Sequence, residues 1–505
     1  MSIRTPPTLL RLAGGSLLRD QASAIAALEY LPAELFPLLF IQAYRRRIQE
    51  PLMVMVQAWP FTVLPLGCLS QLSLDQVLKA VLDGLDVLLA QEVRPRSWKL
   101  RVLDLRNTGA NFWRMWCGDS TRNCSPAGPV AVHSSSPNTE HPLEVFLDLN
   151  FNERDGDEFL KFIIQWAQQR EGLVHLCCKT LRISEGPFQR VGKVLDGVKL
   201  DCIQEVEVNY TWDLPTLGTF ALYLGQMRNL QRLSLSHIHV LTEEEDVEEE
   251  EEEEEEDREE EDVEEEEEEE QEWEEEEDWD RKQEEQQFFS QFLSQMLRLQ
   301  HLRDLKMDSP SFLRGRLDQM LRCLQTPLDK LSITNCQRLT RSDLTRLFQC
   351  PNLRQLKSLH LFGLSLSDFS PEPLRALLEA VAPTLQDLGL DNCGMADSQV
   401  EAILPVLSRC HQLRDFTIPE NPLSVATVEQ LLRHTTGLRR LELELYPVPL
   451  ECYRIQGTVN QERLALIRAE LTAILRELGQ PRTIFLGTKY CHKCGKSKVY
   501  DVEFS

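Results

Sequence analysis

The chain has 505 residues, with 81 acidic and 54 basic side chains and a formal net charge of −27. No run of 18 apolar residues offers a transmembrane helix, and arginines interrupt the apolar N-terminus, which argues against a signal peptide. Fourteen cysteines without a signal peptide indicate a reducing compartment, so we expect a cytoplasmic and nuclear protein without disulfides. We expect no membrane association and no direct binding of nucleic acid.

Residues 1–94 are predicted to form a helical region that differs from the rest of the chain. Small or apolar groups lie four residues apart on one helix face at Leu9, Ala13 and Leu17. A second apolar interval follows a proline that can open a helix, at Leu31, Pro32, Leu35 and Leu39. These residues favour a capping subdomain, because the end of a repeat array must cover its open apolar face.

From residue 95 to about residue 450 the sequence repeats one strand pattern. The clearest copy is Leu328-x-x-Leu331-x-Ile333-x-x-Cys336, which returns at steps of 28, 29 and 28 residues. The returning copies are Leu356/Leu359/Leu361/Leu364, Leu385/Leu388/Leu390/Cys393 and Leu413/Phe416/Ile418/Asn421. Looser copies are Leu100/Leu103/Leu105, Ile203/Val206/Val208, Leu230/Leu233/Leu235/Ile238, Leu302/Leu305/Met307 and Leu438/Leu441/Leu443. A fixed period with this pattern is the signature of leucine-rich repeats.

A helical sequence follows each clear copy. These sequences start near Ser342, Pro373, Ser398 and Thr427 and continue with apolar residues at helical spacing. Within the strand pattern, alternate apolar side chains point inward, and the Cys or Asn position turns the chain while bonding buried backbone. We therefore predict an α/β fold, a leucine-rich-repeat solenoid in the form of a curved horseshoe, with parallel strands on the concave face and helices on the convex face.

Nearly all of the acidity lies in one segment. Residues 243–280 contain 32 acidic side chains and one arginine, a local charge of −31 that leaves about +4 for the rest of the chain. The segment interrupts a single repeat, and we predict a disordered acidic insertion over residues 243–285. Either it is a solvated loop without a specific ligand, or it attracts basic proteins such as histones, with Trp273 and Trp279 providing specificity.

The outward positions of the predicted strands are varied in character. They are Lys330/Ser332/Thr334, Ser358/His360/Phe362, Asp387/Gly389/Asp391, Asp415/Thr417 and Arg440/Glu442/Glu444. The sequence has no phosphate-binding glycine loop, nucleophile elbow or HExxH motif, and its ten histidines are scattered. This favours a face that binds another protein over a catalytic pocket, and we predict no catalytic residue and no cofactor.

Residues 451–505 are predicted to form a C-terminal cap and tail. Cys491 and Cys494 have the spacing of a zinc knuckle there. A structural zinc site needs four ligands, and no second cysteine pair follows, which favours a free pair of thiols.

Three Leu-x-x-Leu-Leu sequences occur, at residues 35–39, 85–89 and 374–378. On an exposed helix this spacing can dock into the groove of a nuclear receptor. In a leucine-rich array the same spacing arises from a buried helix face, and core packing is the favoured interpretation.

Five long segments carry a family resemblance: Gln57–Gly67, Ala80–Arg96, Phe312–Gln319, Leu331–Cys336 and Leu445–Glu451. They strongly resemble the PRAME family (preferentially expressed antigen in melanoma), and the likeness covers nearly the whole chain. The long glutamate tract departs from the usual family pattern, so the sequence resembles a divergent member.

The resemblance gives the N-terminal helices an expected role. Thr8–Leu17 looks like an elongin-C-binding box with Ala13 in place of the usual cysteine, and Leu31–Leu39 is similar to a cullin-2 box. The resemblance implies a substrate receptor of a cullin-2 RING ubiquitin ligase, which joins elongins B and C and holds a protein substrate on the concave face for ubiquitination and degradation. Its adaptor-binding residues would be Leu9, Ala13, Leu17, Leu31, Pro32, Leu35 and Leu39.

The resemblance leaves a second function open. Family members also act as transcriptional repressors, including of retinoic-acid-receptor signalling, and affect proliferation, differentiation and apoptosis. In this alternative the chain is a binding scaffold outside any ligase, and Leu374, Leu377 and Leu378 are the candidate residues for receptor docking.

Overall fold

The structure, a computed structural model, describes residues 8–68, 76–91, 99–106, 142–151, 157–186, 188–240, 281–336, 339–479, 481–489 and 497–503. The chain divides into two compact units, one of residues 1–181 with 189–203 and one of residues 182–188 with 204–505. The predictions for the acidic tract and for Cys491 and Cys494 lie outside the described residues.

The first unit begins with helices. They are α1 (Leu9–Leu17), α2 (Gln21–Ala27), α3 (Phe36–Arg46), α4 (Gln49–Gln57) and α5 (Gln76–Leu89). An aromatic cluster in their core joins Trp59 to Phe40, with ring centroids 5.3 Å apart. The indole N–H of Trp59 donates to the carbonyl of Val63 at 2.9 Å, so the polar group of this buried ring is satisfied inside the protein.

A parallel sheet follows these helices. Its strands, in order, are β1 (Val63–Pro65), β2 (Val102–Asp104), β3 (Leu143–Phe151) and β4 (Val174–Ile183), with α6 (Asp157–Gln168) between the last two and α7 (Phe188–Leu195) after them. Leu64 pairs with Leu103, and Leu103 with Val145. Pairing thus begins in β1, ahead of the residue 95 at which the sequence pattern first becomes visible.

The second unit alternates strands and helices. They are β5 (Glu205–Val208), β6 (Trp212–Asp213), α8 (Leu214–Leu224), β7 (Arg232–Ser236), β8 (Ile238–His239), α9 (281–296), β9 (Asp304–Asp308), α10 (Leu317–Arg322), β10 (Lys330–Thr334), α11 (Arg341–Gln349), β11 (Ser358–Phe362), α12 (Pro371–Val381), β12 (Asp387–Asp391), α13 (Asp397–Leu407), β13 (Asp415–Thr417), α14 (Val425–Thr435), β14 (Leu443–Pro447), α15 (Gln461–Glu477), β15 (Ile484–Gly487) and β16 (Val499–Val502). Within the described part of the chain, no helix is both long and apolar enough to cross a membrane.

The predicted strand register is confirmed through most of this unit. The sheet order is β5-β7-β9-β10-β11-β12-β13-β14-β15-β16, parallel except for the last pair, with β6 and β8 in a separate ladder. Leu331 lies opposite Leu305 on one side and Leu359 on the other, so one sequence period becomes one step across the sheet. All three leucines are buried. The molecule is therefore a mixed α/β protein with a long, mostly parallel sheet.

The acidic tract falls between two strands that are neighbours in the sheet. Leu233 of β7 pairs with Leu305 of β9, although the tract lies between them in sequence. The chain leaves the sheet after β7 and re-enters it beside the same strand. No strand position is missing at the point where the tract is inserted.

The strands β7, β9, β10 and β12 each end in a turn whose first residue adds one hydrogen bond to the neighbouring segment. The turn residues include His237, Ser309, Asn335 and Asn392, all with positive φ. Their backbone N–H groups donate to the end of the next strand, as from Asn335 to the carbonyl of Phe362 at 2.8 Å. A left-handed residue at this position costs free energy, which the added hydrogen bond offsets.

The predicted turn position bonds buried backbone. The Asn421 side chain accepts hydrogen bonds from the N–H groups of Cys393 and Met395 at 3.1 and 2.9 Å, and donates to the carbonyl of Leu390 at 2.7 Å. In the preceding repeat, Cys393 replaces the amide with a thiol that donates to the carbonyl of Asp391 at 3.3 Å. The sequence interpretation of this Cys or Asn position is confirmed.

The last repeat departs from the prediction. The sequence pattern placed Leu441 and Leu443 inward and Glu444 outward, but Phe416 pairs with Glu444, which is buried, while Leu443 is exposed. Two partners make the buried carboxylate tolerable: the hydroxyl of Tyr446 donates to it at 2.6 Å, and Arg482 lies 3.4 Å away. Burial raises the pKa of Glu444, and the guanidinium opposes that shift.

Candidate protein-binding surfaces

Helix α1 presents an apolar face to solvent. Leu9, Leu10 and Leu12 are 85, 48 and 54% exposed, and Ala13 is exposed beside them. Leu17, one turn further along the face of Leu9 and Ala13, is half-buried. The first predicted box thus forms a helix face on which most of the leucine surface meets water, a costly arrangement unless another surface covers it.

Two glycines on the opposite side of α1 explain this orientation. Gly14 and Gly15 lie against Gln42 and Arg46 of α3, and a Cβ on Gly15 would stand 2.5 Å from the guanidinium of Arg46. The same guanidinium donates to the carbonyl of Gly15 at 2.7 Å. The helix is therefore anchored on this side through its glycines, and Leu9, Leu10 and Leu12 face solvent.

The start of α1 is fixed by its own cap. The hydroxyl of Thr8 accepts a hydrogen bond from the N–H of Arg11 at 3.3 Å, which satisfies one of the free donors of the first turn. Leu9 therefore begins the helix and does not precede it, so Leu9 and Ala13 share a face as predicted from their spacing.

The second predicted box is only partly accessible. Pro32 is exposed and Leu31 and Leu35 are half-buried, whereas Leu39 lies in the core of α3. The sequence spacing alone could not separate these two environments. Any partner at this segment has access to Leu31, Pro32 and Leu35.

The predicted receptor-docking leucines lie inside the fold. Leu374, Leu377 and Leu378 of α12 are all buried. Leu85, Leu88 and Leu89 of α5, in the second Leu-x-x-Leu-Leu sequence, are buried as well. These helices present no leucine surface that a groove could take up while the protein is folded.

The outer face of the sheet, formed by the strand residues between the buried ones, is polar and changes in charge along its length. On β9 and β10 it carries Lys306 and Lys330, both exposed. On β12 and β13 it carries Asp387, Asp391 and Asp415. Outward charges are mixed on β9, where Asp304 and Asp308 flank Lys306, and acidic on β12 and β13.

The carboxyl groups of this acidic region have raised pKa values. Burial, followed by the charges of Asp387 and Glu442, raises the pKa of Asp415. Burial also raises the pKa of Asp391, whose carboxylate accepts a hydrogen bond from Thr417 at 2.7 Å. A cationic partner would stabilise the charged form of these carboxyls.

A feature that the sequence did not indicate lies in the same region. Gly389 has no room for a side chain, because the imidazole of His360 and the hydroxyl of Thr417 occupy the space in which a Cβ would stand. A larger residue at this position would collide with the imidazole. Only the three-dimensional register of β11 against β12 reveals this contact.

A cavity of about 580 Å³ opens beyond the ends of β8, β9 and β10. Its lining includes His237, His239, Ser309, Arg314 and Asn335. In the described ranges no group of three His, Cys, Asp or Glu side chains is placed to hold a metal ion. The exposed leucines of α1 and the polar sheet face remain the two surfaces best suited to binding a protein.

Strands and helices that alternate in this way, with a polar sheet face and an exposed apolar helix, define a repeat protein of the mixed α/β class. A model of the PRAME N-terminal domain matches residues 6–113, and a model of the PRAME C-terminal domain matches residues 143–253 and 276–505. The chain belongs to the PRAME family. The unmatched residues 254–275 lie inside the acidic tract, so the family pattern continues on both sides of it.

Human proteins of the family align along the full length of the chain. PRAME family member 12 of Homo sapiens is 48% identical over 505 residues, covering 100% of this chain and 97% of the relative. PRAME family member 20 of Homo sapiens is 46% identical over 513 residues, covering 100% and 99%. PRAME family member 1 of Homo sapiens is 41% identical over 508 residues, with the same coverage.

Proposed function

We propose that this PRAME-family chain is the substrate-recognition subunit of a cullin-2 RING ubiquitin ligase. Helix α1 docks on elongin C, which brings elongin B, and a protein substrate binds the outer face of the sheet. The repeats form a leucine-rich-repeat solenoid in which that face is concave. The observation that carries the proposal is the leucine surface of α1, which is exposed although the same helix is anchored on its other side.

The energetics favour a partner for α1. Covering one fully exposed leucine contributes about 1.5–3 kcal/mol, and Leu9 is nearly fully exposed. Leu10 and Leu12 add to the same surface. A helix face with apolar residues three and four positions apart, here Leu12 and Ala13 after Leu9, fits an apolar groove on a partner, the mode of binding that the resemblance to an elongin-C box implies.

The chain itself needs no catalytic group for this role. A receptor subunit works by holding its substrate close to a catalytic partner, which raises the effective concentration of the substrate. The outer sheet face is suited to that task because its charge pattern changes along the sheet, from mixed charges around Lys306 on β9 to Asp387 and Asp415 on β12 and β13. Substrate selection then depends on charge pattern along several strands.

The test is capture of purified elongin B/C by the full chain. The test variant is Leu9→Asp/Leu12→Asp, and the matched control is Leu466→Asp, an exposed leucine on α15 with 65% of its surface accessible. We expect the wild type and the control to bind elongin B/C and the double variant to lose at least tenfold in affinity. Equal capture by all three proteins, or capture by none, contradicts the proposal.

A second variant separates the ligase from a repressor scaffold. Ala13 stands where the elongin-C box has a cysteine, and it is exposed beside Leu9. If α1 docks on elongin C, Ala13→Cys should strengthen binding severalfold, because the larger side chain fills the same groove. If the wild type shows no binding and Ala13→Cys restores none, the scaffold outside any ligase is the better account.

A further inference from the structure

Two cysteines of the first unit lie side by side. Cys177 is in β4, and a parallel bridge joins it to Lys199, whose N–H donates to the carbonyl of Leu176 at 3.0 Å. The short 3₁₀ turn Leu200–Cys202 then folds the chain back, with the N–H of Cys202 bonded to the carbonyl of Lys199 at 3.3 Å. Cys202 thus ends a turn that starts directly beside Cys177, and the side chains of the two cysteines interact.

The two thiols differ in exposure and in acidity. Cys177 is buried, whereas Cys202 is half-buried and reachable from solvent. The interaction with Cys177 lowers the pKa of Cys202, and burial and Asp201 oppose that shift. The same interaction, together with burial, raises the pKa of Cys177. Cys202 is therefore placed to react first, because it is the thiol of the two that is only half-buried and an oxidant must reach the sulfur it attacks.

The neighbouring Cys178 provides an internal comparison. Its side chain is fully buried, and its thiol donates to the carbonyl of Thr180 at 2.9 Å. Burial raises the pKa of Cys178 to about 12. One residue away from Cys177, it has no access to solvent, and we expect it to stay reduced.

We propose that Cys202 and Cys177 form a peroxide-reactive pair that closes to a disulfide. The Cys202 thiolate attacks one oxygen of hydrogen peroxide, the O–O bond breaks, and the leaving hydroxide takes a proton to become water. The sulfur of Cys177 then attacks the sulfenic acid left on Cys202, so that the S–S bond forms and the S–O bond breaks, and the departing hydroxide takes the proton of the Cys177 thiol to become the second water. Two thiols are oxidised and one peroxide is reduced to two waters.

The geometry gives this bond a defined structural effect. It would tie the turn Leu200–Cys202 to β4 and close a loop that contains α7. Closing a loop lowers the entropy of the unfolded chain, so the oxidised protein should melt at a higher temperature than the reduced one. A thiol reductant such as dithiothreitol should reverse the shift.

The experiment uses the full chain, reduced and then treated with hydrogen peroxide, quenched with N-ethylmaleimide and digested with trypsin. We expect a disulfide between the tryptic peptides 171–179 and 200–228. Because Cys177 and Cys178 share the first peptide, the digest is repeated on Cys178→Ser, which should retain the link. Cys202→Ala should lose it.

A trap for sulfenic acid tests the order of the steps. In Cys177→Ala the sulfenic acid on Cys202 has no partner, so dimedone should label Cys202, and in Cys202→Ala it should leave Cys177 unlabelled. Loss of the link in Cys178→Ser, or no link in the wild type after peroxide, overturns the proposal. If Cys177→Ala does not fold, the presence of the disulfide-linked peptides in wild type and Cys178→Ser, and their absence in Cys202→Ala, still tests the proposal.

Discussion

Helices α1 and α12 both carry closely spaced leucines, and they use them in opposite ways. In α12 the leucines at 374, 377 and 378 pack into the core, while in α1 those at 9, 10 and 12 face solvent. The difference lies in what seats each helix. Helix α12 is held by its leucines, and α1 is held by Gly14, Gly15 and the hydrogen bond from Arg46. Leucine spacing therefore identifies a helix face, and the opposite face decides whether those leucines are core or binding surface.

The largest expected effect is on the buried helix. Leu378→Ala removes a fully buried side chain from α12, and we expect a loss of about 2–5 kcal/mol in the free energy of unfolding, because a cavity is left in the core. Urea unfolding measures it. Leu466→Ala, on an exposed site of α15, is the control and should change stability by less than about 0.5 kcal/mol. Similar losses of unfolding free energy for Leu378→Ala and Leu466→Ala would contradict the assignment of buried and exposed leucines.

A smaller effect is expected where α1 is seated. Gly15→Val places a side chain against Arg46 and should cost about 1–3 kcal/mol beyond the control Ser16→Val, which adds the same branched residue at an exposed position. The cost is moderated because the guanidinium is the movable end of a long side chain. Thermal unfolding measures the difference. Equal melting temperatures for the two variants would show that the glycine contact does not hold the helix.

The smallest effect is expected on the exposed leucines themselves. Leu9→Asp/Leu12→Asp should change the free energy of unfolding by less than about 0.5 kcal/mol per site, because both leucines are exposed and an acidic residue suits the first turn of a helix. The same urea experiment serves here. A loss of several kcal/mol would mean that these leucines are part of the core, and the binding surface would have to be sought elsewhere.

The strand register was predictable wherever every inward position is apolar. In the repeats that begin at Leu328 and Leu356, alternation leaves only one register that buries the leucines, because a shift of one residue would expose them all. The pairing of Leu331 with Leu359 follows from that constraint. The place of the acidic tract followed from the same spacing, since the strands on either side of it remain neighbours.

The last repeat was mispredicted because its register depends on a distant residue. Leu441, Leu443 and Leu445 alternate as a buried strand would, yet Glu444 and Tyr446 point inward. The compensation comes from Arg482, which also donates to the carbonyl of Leu432 at 2.7 Å. A pattern read over a few residues cannot include a partner almost forty positions later.

The candidate surfaces were predictable only in part. The face shared by Leu9 and Ala13 followed from helical spacing, but its exposure depends on Gly15 meeting Arg46 across two helices. In the same way, spacing could not show that Leu39 is buried while Pro32 is exposed. The thiol pair of Cys177 and Cys202 had no sequence signal, because a strand bridge and a short turn bring the two residues together.

Hydrogen exchange of the full chain with and without elongin B/C tests the central claim most directly, since it follows both helices in one sample. Peptides covering residues 9–17 should gain protection when elongin B/C is added, and peptides covering residues 371–381 should be unchanged, because the leucines of α12 are already buried. The gain should disappear in Leu9→Asp/Leu12→Asp. Unchanged exchange in residues 9–17 at saturating elongin B/C would contradict the account.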